Sequence, residues 1–253
     1  TYTVAGVAPC GNATATVTVT EVAGPNAGTN GTLTVCANGA ATPLFAQLGG
    51  APPNTGTWTN PLGVAHGVGF NPNYNPVTHN PGVYTYTVPG VAPCAAATST
   101  VTVTEVPLPD AGTNGTLSLC ANALPADMFA SLGGTPQAGG WWTAPGGAVH
   151  GANYDPAVDA PGIYVYHVAA PPCASATATI TVTETAAPNA GTNGTLTLCS
   201  NGASTNMFAS LVGGPQAGGT WTAPGGAAHA AAYNPAVDVP GIYTYTVGVG
   251  GPC

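Results

Sequence analysis

The octapeptide Pro81-Gly82-Val83-Tyr84-Thr85-Tyr86-Thr87-Val88 returns as Pro161-Gly162-Ile163-Tyr164-Val165-Tyr166-His167-Val168 and again as Pro240-Gly241-Ile242-Tyr243-Thr244-Tyr245-Thr246-Val247. Its surroundings return with it at a spacing of about eighty residues, and Thr1-Tyr2-Thr3-Val4 is a truncated further copy. Self-similarity at a fixed period marks an array, in which one supersecondary unit is stacked on the next. Catalysis needs one well-made site, whereas length, display and avidity profit from copies. The chain is therefore expected not to be an enzyme.

One unit suffices to read the secondary structure. In the middle copy, Asp110-Ala111-Gly112-Thr113-Asn114-Gly115 is turn chemistry and leads into Thr116-Leu117-Ser118-Leu119-Cys120. Apolar segments follow at Met128–Leu132 and Gly140–Thr143, and then the Tyr-rich segment Ile163–Val168. The last, Ala174–Thr183, is the most regular: from Thr177 to Thr183 Thr takes every second position, with small or aliphatic residues between. Short strands separated by turn signals at intervals of roughly 8–12 residues, with no helical period, predict an all-β sandwich. The Thr face is expected in solvent and the Val face in the core, rather than as an ice-binding ladder. Trp58, Trp142 and Trp221 recur at matching places and are expected in the structural core.

Charge narrows the partners. The 253 residues contain no Lys or Arg and eight acids. Phosphate neutralisation depends on Lys and Arg, so nucleic acid is excluded as a partner, and so is docking on anionic lipid headgroups. No apolar run reaches the length of a membrane-spanning helix, so this segment is not expected to insert in a membrane. The chain reads as an excerpt of a longer protein. Residues 1–22 are taken as the C-terminal strands of a preceding repeat; 23–106, 107–185 and 186–253 are repeats 1, 2 and 3, the third without its last strand.

Seven cysteines, Cys10, Cys36, Cys94, Cys120, Cys173, Cys199 and Cys253, alternate between two positions of the repeat. Their spacing fits no zinc motif and predicts disulfides in an oxidising compartment. Pairing within each repeat gives Cys36–Cys94, Cys120–Cys173 and Cys199–Cys253, with Cys10 paired upstream. Pairing across the junctions gives Cys10–Cys36, Cys94–Cys120 and Cys173–Cys199. Chain entropy does not separate the two schemes. The first is preferred because a domain stapled to itself can fold alone.

The strings Asn189–Cys199, Phe208-Ala209-Ser210-Leu211, Gly218-Gly219-Thr220-Trp221-Thr222 and Pro240–Val247 together resemble the tandem Ig-like or PKD-like repeats of very large Bacteroidetes surface proteins. Those proteins are of gliding-motility or adhesin type and leave by type IX secretion. The resemblance covers the whole chain and implies tandem Ig-like β-sandwiches, each disulfide-stapled, in an extracellular, cell-surface stalk, adhesin or filament.

Other residues are weighed against plainer roles. Glu21, Glu105 and Glu184 end the Thr-rich strands; with Asp110 they make weak candidates for an interdomain calcium site, the one cofactor left open. Calcium wants six to eight oxygens and several carboxylates, so a charged strand end is the plainer reading. His66, His150 and His229 recur without a second ligand nearby, and His79 aligns with Asp159 and Asp238. Asn12, Asn30, Asn114 and Asn193 match the glycosylation acceptor pattern but also read as turn residues. Trp141 beside Trp142 is the candidate for stacking on a sugar. The expected function is a structural or adhesive repeat region whose partners are neighbouring repeats or copies of itself. Alternatives are a carbohydrate-binding array on surface glycans, and a polymer that exchanges strands.

Overall fold

The computed structural model describes residues 1–66, 72–248 and 250–253. These residues fold into β-strands and three short 3-10 turns. No helix among them is long and apolar enough to cross a membrane. The chain forms two compact units, residues 1–109 with 169–175, and residues 110–168 with 176–253.

In the first unit the large sheet has four strands, ordered Gly31–Cys36, Ala97–Val106, Gly82–Val88 and Thr57–Thr59. We call them the leading, Thr, Tyr and Trp strands. The Tyr strand is antiparallel to both neighbours, whereas the leading strand runs parallel to the Thr strand, with Gly31 opposite Val101 and Cys36 opposite Val106. A small second layer pairs Thr42–Pro43 with Asn73–Tyr74. Leu44 and Tyr74 from this layer meet Trp58, Tyr84, Tyr86, Val101 and Val103 from the large sheet, all of them buried. This is a β-sandwich with the core between its layers.

The residue pattern explains the placement. Along the Thr strand Ser99, Val101 and Val103 are buried while Thr98, Thr102 and Thr104 are exposed, as a period of two requires. The two tyrosines of the Tyr strand carry their polar tips to fixed partners. Tyr84 donates to the Asn80 carbonyl at 2.8 Å. Tyr86 donates to the Pro53 carbonyl at 2.5 Å and accepts from the Gly56 amide at 2.8 Å. Gly56 is required there, because a Cβ would strike the Tyr86 ring. Residues 1–22 hold a hairpin of the same type: Tyr2 faces Ala15 as Tyr86 faces Ser99. Among the described residues no further strand joins its two-stranded sheet, and all its strand residues are exposed.

The second unit holds two versions of this plan. In repeat 2 the sheet order is Val149–His150, Trp141–Thr143, Gly162–Val168, Ala176–Thr185 and Gly115–Cys120, the last two parallel. In repeat 3 the sheet has, among the described residues, the three strands Ala228–His229, Thr220–Thr222 and Thr244–Thr246. Residues 194–199, which match the leading strand, make no ladder. A leading strand draws its hydrogen bonds from a Thr strand, and repeat 3 has none within residues 186–253.

The disulfides overturn the expected pairing. Cys36 is bonded to Cys173 and Cys120 to Cys253, with Cα–Cα distances of 4.9 Å in both. Cys10, Cys94 and Cys199 are free thiols. Neither Cys36–Cys94, Cys120–Cys173 and Cys199–Cys253 nor the junction scheme describes this. The cause is the parallel leading strand. It brings Cys36 to the exit of the Thr strand, opposite Val106, whereas Cys94 precedes its entry at Ala97. Ten strand residues separate the two by roughly 30 Å, and a disulfide needs less than about 7 Å. Each repeat is thus stapled to its neighbour, not to itself. Bridges closing 137 and 133 residues remove unfolded-chain entropy equivalent to roughly 5 kcal/mol each on the chain-entropy model.

Candidate functional site

Two features recur often enough to define working surfaces: the seat of the second cysteine and the slot for the Thr strand. The seat lies in the turn between the Tyr and Thr strands. Cys173 Sγ lies 3.4 Å from the Val106 carbonyl oxygen, at the end of the preceding Thr strand. Cys253 Sγ lies 3.4 Å from that of Thr185. Cys94 Sγ, still a thiol, lies 3.5 Å from the Val22 carbonyl. The three seats are equivalent, and in two of them a leading-strand cysteine completes the bond.

In repeat 2 the slot is filled. Ala178, Ile180 and Val182 are 2%, 0% and 2% exposed, opposite Tyr166, Tyr164 and Gly162. The Asn114 side chain accepts from the Thr179 amide at 2.9 Å and locks the strand in register. At the far end Glu184 accepts a hydrogen bond from the buried Tyr154, as Glu105 does from Tyr74 in repeat 1. Burial first, then that carboxylate, pushes both phenols well above the ordinary tyrosine range.

In repeat 3 the slot is open. Leu196 and Ile242 are 37% and 84% exposed, and Tyr243 and Tyr245 are only half-buried. A cleft of about 450 Å³ is lined by Asn206, Phe208, Gly219, Trp221, His229 and Tyr245. Phe129, Trp142 and Tyr166, the counterparts of its aromatic residues, pack in or against the core of repeat 2. The Tyr233 hydroxyl donates to the Asp238 carbonyl, at 3.3 Å.

The remaining sequence candidates resolve into local structure. Trp58, Trp142 and Trp221 are 2%, 3% and 6% exposed. Asp110 Oδ1 accepts from the Gly112 amide at 2.8 Å, and Asn26 and Asn189 do the same for Gly28 and Gly191. Glu105, Asp110 and Glu184 are each engaged in this way. Among the described residues no three His, Cys, Asp or Glu side chains converge on a metal position. Glu21, on the N-terminal hairpin side, is exposed. Asn30 fastens the Thr100 amide as Asn114 fastens that of Thr179. Trp141 is 43% exposed, but its ring stacks on His167 at 5.1 Å and an interplanar angle of 10°.

The histidines divide by repeat. His150 and His229 pair with Asp159 and Asp238 at 3.0 and 3.1 Å. Burial alone would lower His150, but its bonds to Asp159 and the Gly151 carbonyl outweigh that and raise it. Asp159 is held low, first by the Asp155 amide and then by His150. In repeat 1 the aspartate is replaced by His79, whose ring lies 4.5 Å from that of His66. His66 is lowered by burial and by its neighbour His79.

No protein-family model matches the chain, and no characterised protein matches it in sequence. Among solved structures it is similar to Sidekick-1 immunoglobulin domains 1–5, at 12% identity and a TM-score of 0.34. The likeness covers 61% of this chain and 38% of that one, so this chain spans well under half of that structure.

Proposed function

We propose that this chain is a structural, adhesive repeat segment of a secreted bacterial surface protein, belonging to a stalk or filament and carrying no catalytic activity. The observation that carries the proposal is the staple between successive repeats, Cys36–Cys173 and Cys120–Cys253. A disulfide within each domain would serve independent folding. One between domains makes the array covalently continuous along a second route, which suits a part under tension. Disulfides also support an oxidising, extracellular compartment for it. Export by the type IX route belongs to this proposal and follows the resemblance of the repeats. A glycan-binding role for Trp141 has less support, because His167 already occupies one face of its ring.

Single-molecule stretching tests the mechanical core of this reading. With both bridges intact the shortest covalent path runs from Thr1 to Cys36, through Cys173 back to Cys120, and out through Cys253. That is about 88 residues, or roughly 320 Å at full extension, against about 910 Å for the reduced chain. Equal extension with and without reductant would sink the proposal.

A further inference from the structure

The outward face of the large sheet in repeat 1 is almost wholly threonine. The ladders set Thr57, Thr87 and Thr98 side by side in one row and Thr59, Thr85 and Thr100 in the next. Further along, Thr102 lies between Val83 and Thr32, and Thr104 beside Thr34. Val83 is the one position in these rows that is not threonine, and none is charged. A lone Thr ladder would make a poor array, but the sheet gives it three threonine-bearing neighbours. We infer that this face of repeat 1 binds ice. The inference rests on the adhesive reading and deepens it by naming a surface for the arm to hold.

Ice and liquid water are the same molecule, so a protein tells them apart only by the lattice. That takes many polar and apolar contacts held at fixed repeats. The sheet provides two repeats, about 4.8 Å between strands and about 6.8 Å between alternate residues along one strand. Both lie close to the water spacings on the prism faces of hexagonal ice. Each threonine presents a hydroxyl and a methyl on a stiff, β-branched side chain, so the array is ordered before it binds. Lys or Glu in these places would keep its own hydration and lose rotamer freedom on docking. Neighbouring strands turn by roughly 20–25°, which sets the best match at the centre of the face, along the paired Tyr and Thr strands.

Other occupants fit this face less well. Trp58, Tyr84 and Tyr86, on the same strands, are buried on the core side of the sheet, which leaves no ring on the outward rows to stack on a sugar. The rows cover on the order of 400 Å², about half of what each partner gives to a standard protein interface. They carry no charge to select an ionic partner. The same face of repeat 2 is interrupted. Trp141 and His167 share the row of Thr177, and Val165 stands between Thr143 and Thr179. Repeat 2 is thus a control built into the chain.

The test grows ice slowly from a solution of the 253-residue chain, measures the fraction carried into the solid and follows crystal shape by microscopy. The chain should enter the ice and give faceted crystals. Thr98→Lys, at an exposed position of the first row, should lower the fraction in ice about tenfold, the loss of about 1.4 kcal/mol of contact. The melting of repeat 1 should stay unchanged, as for most surface substitutions. Thr177→Lys, at the matching position of repeat 2, should leave the fraction in ice as it was. Exclusion of the wild-type chain with round crystals overturns the inference, and so does a folded Thr98→Lys variant that enters ice as well as the wild type. Retention on cellulose or chitin powder with round crystals overturns it in favour of a crystalline polysaccharide. None of these failures touches the stapled array, which is broken instead by equal extension with and without reductant.

Discussion

Repeats 2 and 3 share nearly the same sequence up to the Tyr strand and differ by one strand after it. In repeat 2 that strand buries Ile180 completely, holds Tyr164 and Tyr166 at 1% and 2% exposure, and gives the leading strand its ladder. In repeat 3 the Trp strand and the 3-10 turn form as before, yet the leading segment stays unpaired and the tyrosines are only half-buried. Local pattern suffices for the middle of the sandwich, and the closing strand makes the core.

The comparison is broken most severely at Ile180. Ile180→Ala should destabilise repeat 2 by about 2–5 kcal/mol in chemical denaturation, since a fully buried aliphatic side chain is truncated. Val17→Ala, at the equivalent exposed position, should leave the monomer unchanged. Next comes Gly115, where a Cβ would run into the Ser131 carbonyl oxygen. Gly115→Ala should cost about 1–3 kcal/mol. Gly194→Ala meets the same obstacle at Ser210 but lies in an unpaired segment that can move aside, so its cost should be visibly smaller.

Glu184→Gln should cost about 1–3 kcal/mol by removing a charged acceptor from Tyr154, whereas Tyr233→Phe in repeat 3 should cost less. The raised Tyr154 phenol adds a pH signature. Its stabilisation is complete below the ordinary tyrosine range and is lost as pH rises through the folded value. An alkaline melt should therefore release repeat 2, and Tyr154→Phe should remove that dependence.

The smallest effect separates repeat 1 from both others. His150 is raised, so its contribution is complete below the unfolded histidine value and is lost as pH rises through the folded one. His66 is lowered, so its contribution is present above the unfolded value and is lost as pH falls through the folded one. Acidification from about pH 7.5 to 5.5 should loosen repeat 1 while tightening repeat 2, resolved by amide exchange. His79→Asp should convert the first behaviour to the second; no change on that substitution would show that the pairs do not govern it.

Much of the fold was legible because it is local. Alternation identified the Thr strand, the Pro-Gly-aliphatic-Tyr string identified the Tyr strand, and three tryptophans marked the core. Direction was not legible. Nothing within Thr116–Cys120 distinguishes a strand that will pair in parallel from one that will turn back as a hairpin, and the cysteine pairing depends on that choice. Glu105 and Glu184 read as strand-end charges because Tyr74 and Tyr154, which use them, lie about thirty residues away. The drift of His79 to Asp159 and Asp238 looked like an absence of role. In fact each accepts a backbone amide four residues back, from Asn75, Asp155 and Asn234, which needs only an acceptor at the right reach. The alternation of Asn26, Asp110 and Asn189 has the same cause.

The two bridges overlap: one spans 36 to 173 and the other 120 to 253. Every peptide bond between Cys36 and Cys253 therefore lies inside at least one closed ring, and those between Cys120 and Cys173 lie inside both. A single cut anywhere in that stretch leaves no loose fragment. Chymotryptic nicking should leave the mass on a non-reducing gel unchanged, and the pieces should part only when reductant is added. Such a molecule wears by accumulating breaks before it loses length, and the damage stays invisible until a second cut falls within the same ring.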